Sequence, residues 1–186
     1  MALLVANALP NGVPIKSTSP RLPLPRATRR VLGLDPGSVR TGWGIVEWEG
    51  QRPKGVAAGV IRVKESAPIA ERLHLIHQGV CAVLEEFKPD AVAIEDIFFA
   101  RYPQAALVLG HARGVAMLAA AQRSLPVSAY PPAVVKRAIV GSGRADKQQV
   151  AQLVGALLGL SELPGIDATD ALAVAIAHLN ATRLGV

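Results

Sequence analysis

Four acidic residues stand where a soluble fold rarely places them without cause. Asp35 closes the apolar run VLGLD, Glu95 closes AVAIE, and Asp167 and Asp170 lie three apart at the head of the apolar stretch DATDALAVAIAH. A carboxylate beside a buried run is costly unless it is hydrogen-bonded, paired or metal-bound. Residues three apart share one side of a helix, so Asp167 and Asp170 point in about the same direction. Oxygen donors alone select hard cations such as Mg²⁺ or Mn²⁺ over zinc. Two such ions about 3.5–4 Å apart can activate a water on one side of a phosphodiester and stabilise the leaving oxygen on the other. Phosphodiester hydrolysis is the reaction this set suggests. Ordinary readings exist too: Asp35-Pro36-Gly37 is a turn sequence, and Asp167 and Asp170 suit the cap and first turn of a helix.

Other reactive residue types carry less. Arg144 and Lys147 flank a Gly-rich turn whose backbone amides could meet a phosphate, although basic residues at helix ends are also common as solvated groups. His74 and His77 share a helix with no third ligand nearby and read as surface residues. Cys81 reads as core-facing or inert, since no nearby residue suggests activation. Asp35, Gly37 and Gly42 also fit the Asp-x-Gly-x-x-x-x-Gly phosphate loop of an actin-like or sugar-kinase-like ATPase. That fold requires a second loop of this kind and a second lobe, and the sequence offers neither.

The elements that must position the acids follow from periodicity and punctuation. VLGLD, TGWGIVEWE and GVAAGVIRV are short, β-rich and bounded by Gly or Pro, which predicts three antiparallel strands in a meander. Leu73, Ile76, Val80, Val83, Leu84 and Phe87 predict an amphipathic helix over about 69 to 87, stopped by Lys88-Pro89-Asp90. AVAIE is a fourth, parallel-type buried strand. A long helix is expected over about 104 to 123, then a short fifth strand in LPVSAY ended by Pro131 and Pro132, with helices over about 133 to 140, 147 to 159 and 168 to 182. Asp146 with Gln149 three residues on resembles a capping box. Three strands, then helix, strand, helix, strand and terminal helices predict an α/β layer structure with a mixed five-stranded sheet flanked by helices, unlike the regular alternation of a Rossmann domain.

The 186 residues suffice for one ordinary core. Residues 1 to 29 carry five prolines among small and basic residues and are expected to be a disordered basic extension, leaving 30–186 as the single domain. MALLVANALP lacks the charged start of a signal peptide; the acid-free, Arg-containing composition allows an organellar transit peptide, but a flexible DNA-contacting tail or an extension with no function is the better reading. Of the net charge of +6, five units fall in residues 1 to 30 as Lys16, Arg21, Arg26, Arg29 and Arg30. Charge alone is therefore weak evidence for a nucleic-acid partner. One cysteine excludes an internal disulfide and suits a reducing, cytoplasmic setting. The most apolar regions are interrupted by His111 and Arg113 and by Asp170 and His178, so no membrane association is expected.

VLGLDPGSVRTGWGIV, AIEDIFFA, LGHARGVAMLAAA, VKRAIVGSGRADKQQV and DATDALAVAIAH resemble, in that order, the motifs of RuvC-type Holliday-junction resolvases, covering nearly all of Val31 to His178. The resemblance implies an RNase H-like fold and a homodimer that cuts a four-way DNA junction with paired nicks, leaving 5′-phosphate and 3′-hydroxyl ends. It implies that Asp35 bridges two metal ions, that Glu95 and Asp170 each complete one site, and that Asp167 supports or joins the water-bearing site. It further implies that Lys136 and Lys147 lie near DNA phosphates, that Phe98 stacks on an unpaired base, that Arg101 belongs to the DNA contacts, and that a branch-migration complex is a partner. As bare sequence, Phe98 and Phe99 would more often be core. Tyr102 stands where the family commonly has Asn, and His111 where Gln is common, which bears on local DNA contacts. A related nuclease acting on RNA·DNA hybrids or other branched DNA is the nearest alternative; a non-catalytic junction-binding module would not need the four acids.

Overall fold

The computed structural model describes residues 30–96 and 103–184. The expectations for residues 1–29 and for Phe98, Phe99, Arg101 and Tyr102 lie outside the described residues. Strand β1 (Arg30–Asp35), β2 (Arg40–Glu49) and β3 (Arg52–Arg62) form the antiparallel meander. Helix α1 (Ile69–Phe87) leads to β4 (Ala91–Glu95), α2 (Pro103–Ala121) to β5 (Val127–Tyr130), and α3 (Pro132–Val140), α4 (Lys147–Leu158) and α5 (Ile166–Leu184) complete the order. The sheet runs β3-β2-β1-β4-β5, with β4 parallel to β1 and β5 parallel to β4. The expected mixed five-stranded α/β sheet is therefore observed.

Alternation along the strands assigns the two faces, because successive side chains of a strand point to opposite sides. Leu32 and Leu34 of β1, with Val92 and Ile94 of β4, pack against Ile76, Val80 and Leu84 of α1 and the small residues Ala112, Ala116, Ala119 and Ala120 of α2. Val31 and Ala93 face the other way, into a cluster with Val135 of α3, Val150 and Val154 of α4, and Leu172, Ile176 and Leu179 of α5. Asp35 continues the Val31–Gly33 side and Glu95 the Ala93 side. Both acids are thus aimed at the face that carries α5.

Helix ends follow local chemistry. Lys88 takes a left-handed conformation and its amide bonds Leu84 O, before Pro89 prevents continuation. Asp146 caps α4, its carboxylate accepting from the Gln149 amide at 2.8 Å. Helix α5 begins at Ile166, two residues before the expected start, so Asp167 sits within the first turn rather than at its cap. Helix α2 also departs from expectation. It is long and apolar enough, by length and composition, to cross a membrane despite His111 and Arg113. Its alanine stripe is buried against the sheet and α1, which makes it a core helix with a second, exposed face.

Candidate active site

Three glycines let α5 lie directly on the sheet. A Cβ on Gly33 would fall 2.0 Å from Ala171 O, and one on Gly42 would fall 2.0 Å from Asp167 O. A Cβ on Gly44 would meet the Leu172 side chain at 2.7 Å. Gly33 pairs with Gly44, and Asp35 with Gly42, so all four share the face under the helix. This close approach carries Asp170 to the ends of β1 and β4. After Asp35 the chain turns through Pro36–Val39, held by Thr41, whose buried hydroxyl donates to Gly37 O at 2.9 Å, and by Arg72, whose Nη1 donates to Ser38 O at 3.2 Å.

Asp35, Glu95 and Asp170 line one cleft of about 290 Å³ together with Lys136 and Lys147. Burial, then the hydrogen bond with Glu95 and the nearby Asp170 and Asp167 charges, push the Asp35 carboxyl up to about 8. Glu95 is raised as well, burial outweighing the hydrogen bond with Asp35 and the pull of Lys147 and Lys136. Two half-buried carboxyls bonded to each other favour a shared proton over two charges, because neighbouring carboxylates repel. Asp170 is met by Lys147, with Nζ 3.3 Å from Oδ2. That ion pair, led by the Asp170 charge, raises the Lys147 ammonium above its ordinary value. Asp167 turns to Arg40, with Nε 3.4 Å from Oδ2.

Each acid therefore has a partner: Asp35 and Glu95 each other, Asp170 Lys147, and Asp167 Arg40. Among the described residues, no three acidic, His or Cys side chains stand arranged as a finished metal cage. The arrangement is that of carboxylates relieving their mutual repulsion on protons, Lys147 and Arg40. A divalent cation would satisfy the same acids with charge to spare, and the donors are all oxygens, so Asp35, Glu95 and Asp170 fit a hard ion.

The structure thus brings Asp35, Glu95, Asp170, Lys136 and Lys147 to one cleft. Lys136 is half-buried and its ammonium donates to Ala145 O at 2.9 Å, which fixes it at the cleft wall. Asp167 and Arg144 are not among the cleft-lining residues; Arg144 is exposed on the α3–α4 turn. Sequence reasoning missed Arg40 as partner of Asp167, and Arg113, whose Nη2 lies 3.2 Å from Asp96 Oδ1 just beyond Glu95. Neither had a signal beyond its charge. Cys81 is half-buried and packs against the core under the sheet, with Arg123 Nη1 3.3 Å and the His77 ring nitrogens 3.8 Å from its sulfur.

An antiparallel three-stranded meander extended by two parallel strands, with acids at the ends of β1 and β4 and on the last helix, defines an RNase H-like nuclease domain. The profile of the family described as crossover junction endodeoxyribonuclease RuvC matches residues 31–178. The RuvC protein of Geobacter metallireducens is 49% identical over 155 residues, covering 83% of this chain and 94% of that protein. That of Sorangium cellulosum is 50% identical over 152 residues, 82% and 85% of the two chains. Among solved structures, T. thermophilus RuvC in complex with a Holliday junction substrate superposes with a TM-score of 0.80 at 38% identity, covering 84% of this chain and 96% of that one. The yeast mitochondrial Holliday junction resolvase Ydc2, at 14% identity and a TM-score of 0.64, shares the fold. The chain belongs to the RuvC family and is a nuclease.

Proposed function

We propose that this chain resolves four-way DNA junctions as a homodimer, nicking two strands of like polarity and leaving 5′-phosphate and 3′-hydroxyl ends. Asp35, Glu95, Asp167 and Asp170 are the proposed ligands of two Mg²⁺ or Mn²⁺ ions. The observation that carries this reading is the cleft itself: Asp35, Glu95 and Asp170 converge under a rim bearing Lys136 and Lys147. Bound cations would supply a nucleophile at neutral pH and charge for the leaving oxygen. The protein's own groups do the rest. Asp35, which hydrogen-bonds Glu95 and feels the Asp170 charge, would hold the ions together with those two acids; Lys147, paired with Asp170, would meet a phosphate beside them, and Lys136 is fixed on the same cleft wall. Arg144, exposed on its turn, is assigned to the flanking backbone, and Phe98 and Arg101 to the bases and strand near the crossover, by resemblance to the family.

The homodimer reading is supported by α2. Its exposed face presents Leu107, His111, Gly114 and Leu118, spaced four, three and four apart, with Leu107 61% and Leu118 51% exposed. A Cβ on Gly114 would meet nothing within 4 Å, so a second helix can come close there. A closed two-fold dimer gives the paired cuts that a four-armed substrate requires. A branch-migration complex as further partner and a cytoplasmic setting complete the proposal.

The test is cleavage of a synthetic four-way junction beside linear duplex and RNA·DNA hybrid, with Mg²⁺, Mn²⁺ or a chelator, and with Asp170→Asn as control. Paired, metal-dependent nicks near the crossover that vanish in the variant are expected. Preference for the hybrid duplex would overturn the resolvase reading.

A further inference from the structure

Beside the acidic cleft lies a second one, of about 220 Å³, formed by α4 and the chain entering α5. Its lining includes Lys147, Gln148, Ala151, Leu163, Ile166 and Asp170. Lys147 and Asp170 belong to both clefts, so their ion pair is the wall between them. Unlike its neighbour, the second cleft is apolar in character, with Leu163 44% and Ile166 72% exposed. An isoleucine so open beside two charged groups is not there for the core of this chain.

Its position is rigidly imposed. Gly165, at a φ of +94°, turns the chain, and its carbonyl accepts from both the Thr169 amide at 2.9 Å and the Thr169 hydroxyl at 2.7 Å. The following turn is pinned where Asp167 O meets Gly42, so Ile166 cannot fold back onto the sheet. Leu163 rests on Gly155 of α4, where a Cβ would come within 3.1 Å of it. Two fixed apolar side chains make a shelf, and the exposed Gln148 stands on the helix beside it. Its amide carries both a donor and an acceptor, the pair that matches the edge of a base.

We propose that this second cleft receives the unpaired nucleobase next to the scissile phosphate, with Ile166 and Leu163 packing on its face and Gln148 reading its edge. The inference rests on the acidic cleft being where the phosphate is cut. Its occupant follows from continuity: a strand whose phosphate lies in the acidic cleft beside Lys147 would carry its neighbouring nucleotide past the Lys147–Asp170 pair to the opening of the second cleft. Lys147 then serves the phosphate and the apolar shelf serves the base. The chemistry of the two compartments matches the two halves of a nucleotide, and the cleft becomes a determinant of sequence preference at the cut.

The experiment uses the full chain with four-way junctions carrying 2-aminopurine at each position flanking the crossover, in a chelator so that no strand is cut. Wild-type protein is expected to change the probe's fluorescence at one flanking position. Ile166→Ala with Leu163→Ala is expected to abolish that change while junction affinity stays within about threefold, because phosphate contacts dominate affinity. In a parallel cleavage panel varied at the same nucleotide, Gln148→Ala is expected to flatten discrimination by about tenfold, within the range of a good base contact. An identical probe signal in wild type and variant would overturn the inference, as would equal loss of binding for every junction. A cleft kept for a protein partner gives the first of these results. Probe docking without cleavage by wild type would leave the base cleft standing and remove the nuclease reading of the neighbouring one.

Discussion

Replacing Asp35 by Asn removes one ionisable group from a crowd of four acids while keeping nearly the same shape. Without metal, the folded chain loses a burial-disfavoured carboxyl, so Asp35→Asn is expected to melt at or above the wild-type temperature in chelator. With Mn²⁺ or Mg²⁺ the order reverses, since an ion at a hundred times its Kd adds about 2.7 kcal/mol to a chain that binds it. Cleavage is expected to fall by roughly 100-fold or more, because even the outer partners of a metal ligand typically cost 10–100-fold. Retained junction binding would separate this from misfolding; a melting curve lowered equally with and without metal would contradict it. His178, on α5, offers a pH test. It is buried on α5 with Nδ1 2.8 Å from Tyr130 Oη, and burial holds its pKa below the ordinary 6.5. As pH falls through about 6.5 the unfolded chain takes up a proton that the folded chain still refuses. The contribution of His178 is therefore fully present above that pH and declines below it. His178→Gln is expected to lower stability at pH 7 yet flatten the decline as pH falls below 6.5, as read from denaturant midpoints at each pH.

At the level of elements, what assembles the site is how closely α5 lies on β1 and β2. Gly42→Ala places a methyl against Asp167 O, backbone against which nothing can yield without moving the helix. A cost of about 1–3 kcal/mol is expected from overpacking, with cleavage falling further than stability because the helix that moves carries Asp167 and Asp170. Equal cleavage per folded molecule, measured after thermal denaturation has fixed the folded fraction, would show that the approach serves packing alone. This layer explains why parts of the site were legible in sequence and others were not. Strand alternation made VLGLD and AVAIE readable as buried runs ending in acids, and their register then put Asp35 and Glu95 on one face. The order of elements and the mixed sheet followed from strand length and punctuation. The glycines gave only a β-rich, loosely patterned strand, because what they permit is contact with a helix more than a hundred residues later. The early start of α5 was hidden behind Gly165, and Arg40 and Lys147 as partners of Asp167 and Asp170 depend on three-dimensional proximity that no spacing encodes.

For the whole molecule, the open question of geometry is how two cleavage sites are held for two strands. Helix α2 buries Ala112, Ala116, Ala119 and Ala120 inward and leaves Leu107, Gly114 and Leu118 outward, so one helix has an apolar stripe on each side. In an isolated chain the outer face exposes leucines to water on either side of His111; in the proposed two-fold dimer the same face would be covered by its copy, with Gly114 leaving room for close approach. Leu118→Glu tests this without disturbing the core, because the side chain is half-exposed in the monomer. If α2 forms the proposed seam, like charges facing each other across the two-fold axis, together with lost apolar contact, are expected to yield a folded monomer in sedimentation equilibrium at concentrations where the wild type is expected to dimerise. The functional consequence is read on a circular DNA bearing one extruded cruciform. Paired nicks within the lifetime of one complex give linear product, whereas independent nicks give an open circle that can be religated. The variant is expected to keep its metal-dependent nicking, since Asp35, Glu95 and Asp170 lie on the opposite side of the sheet from α2, but to accumulate open circles. Linear product formed by a monomeric Leu118→Glu would mean that one subunit can cut twice, and the two-fold seam would have to be sought on another face.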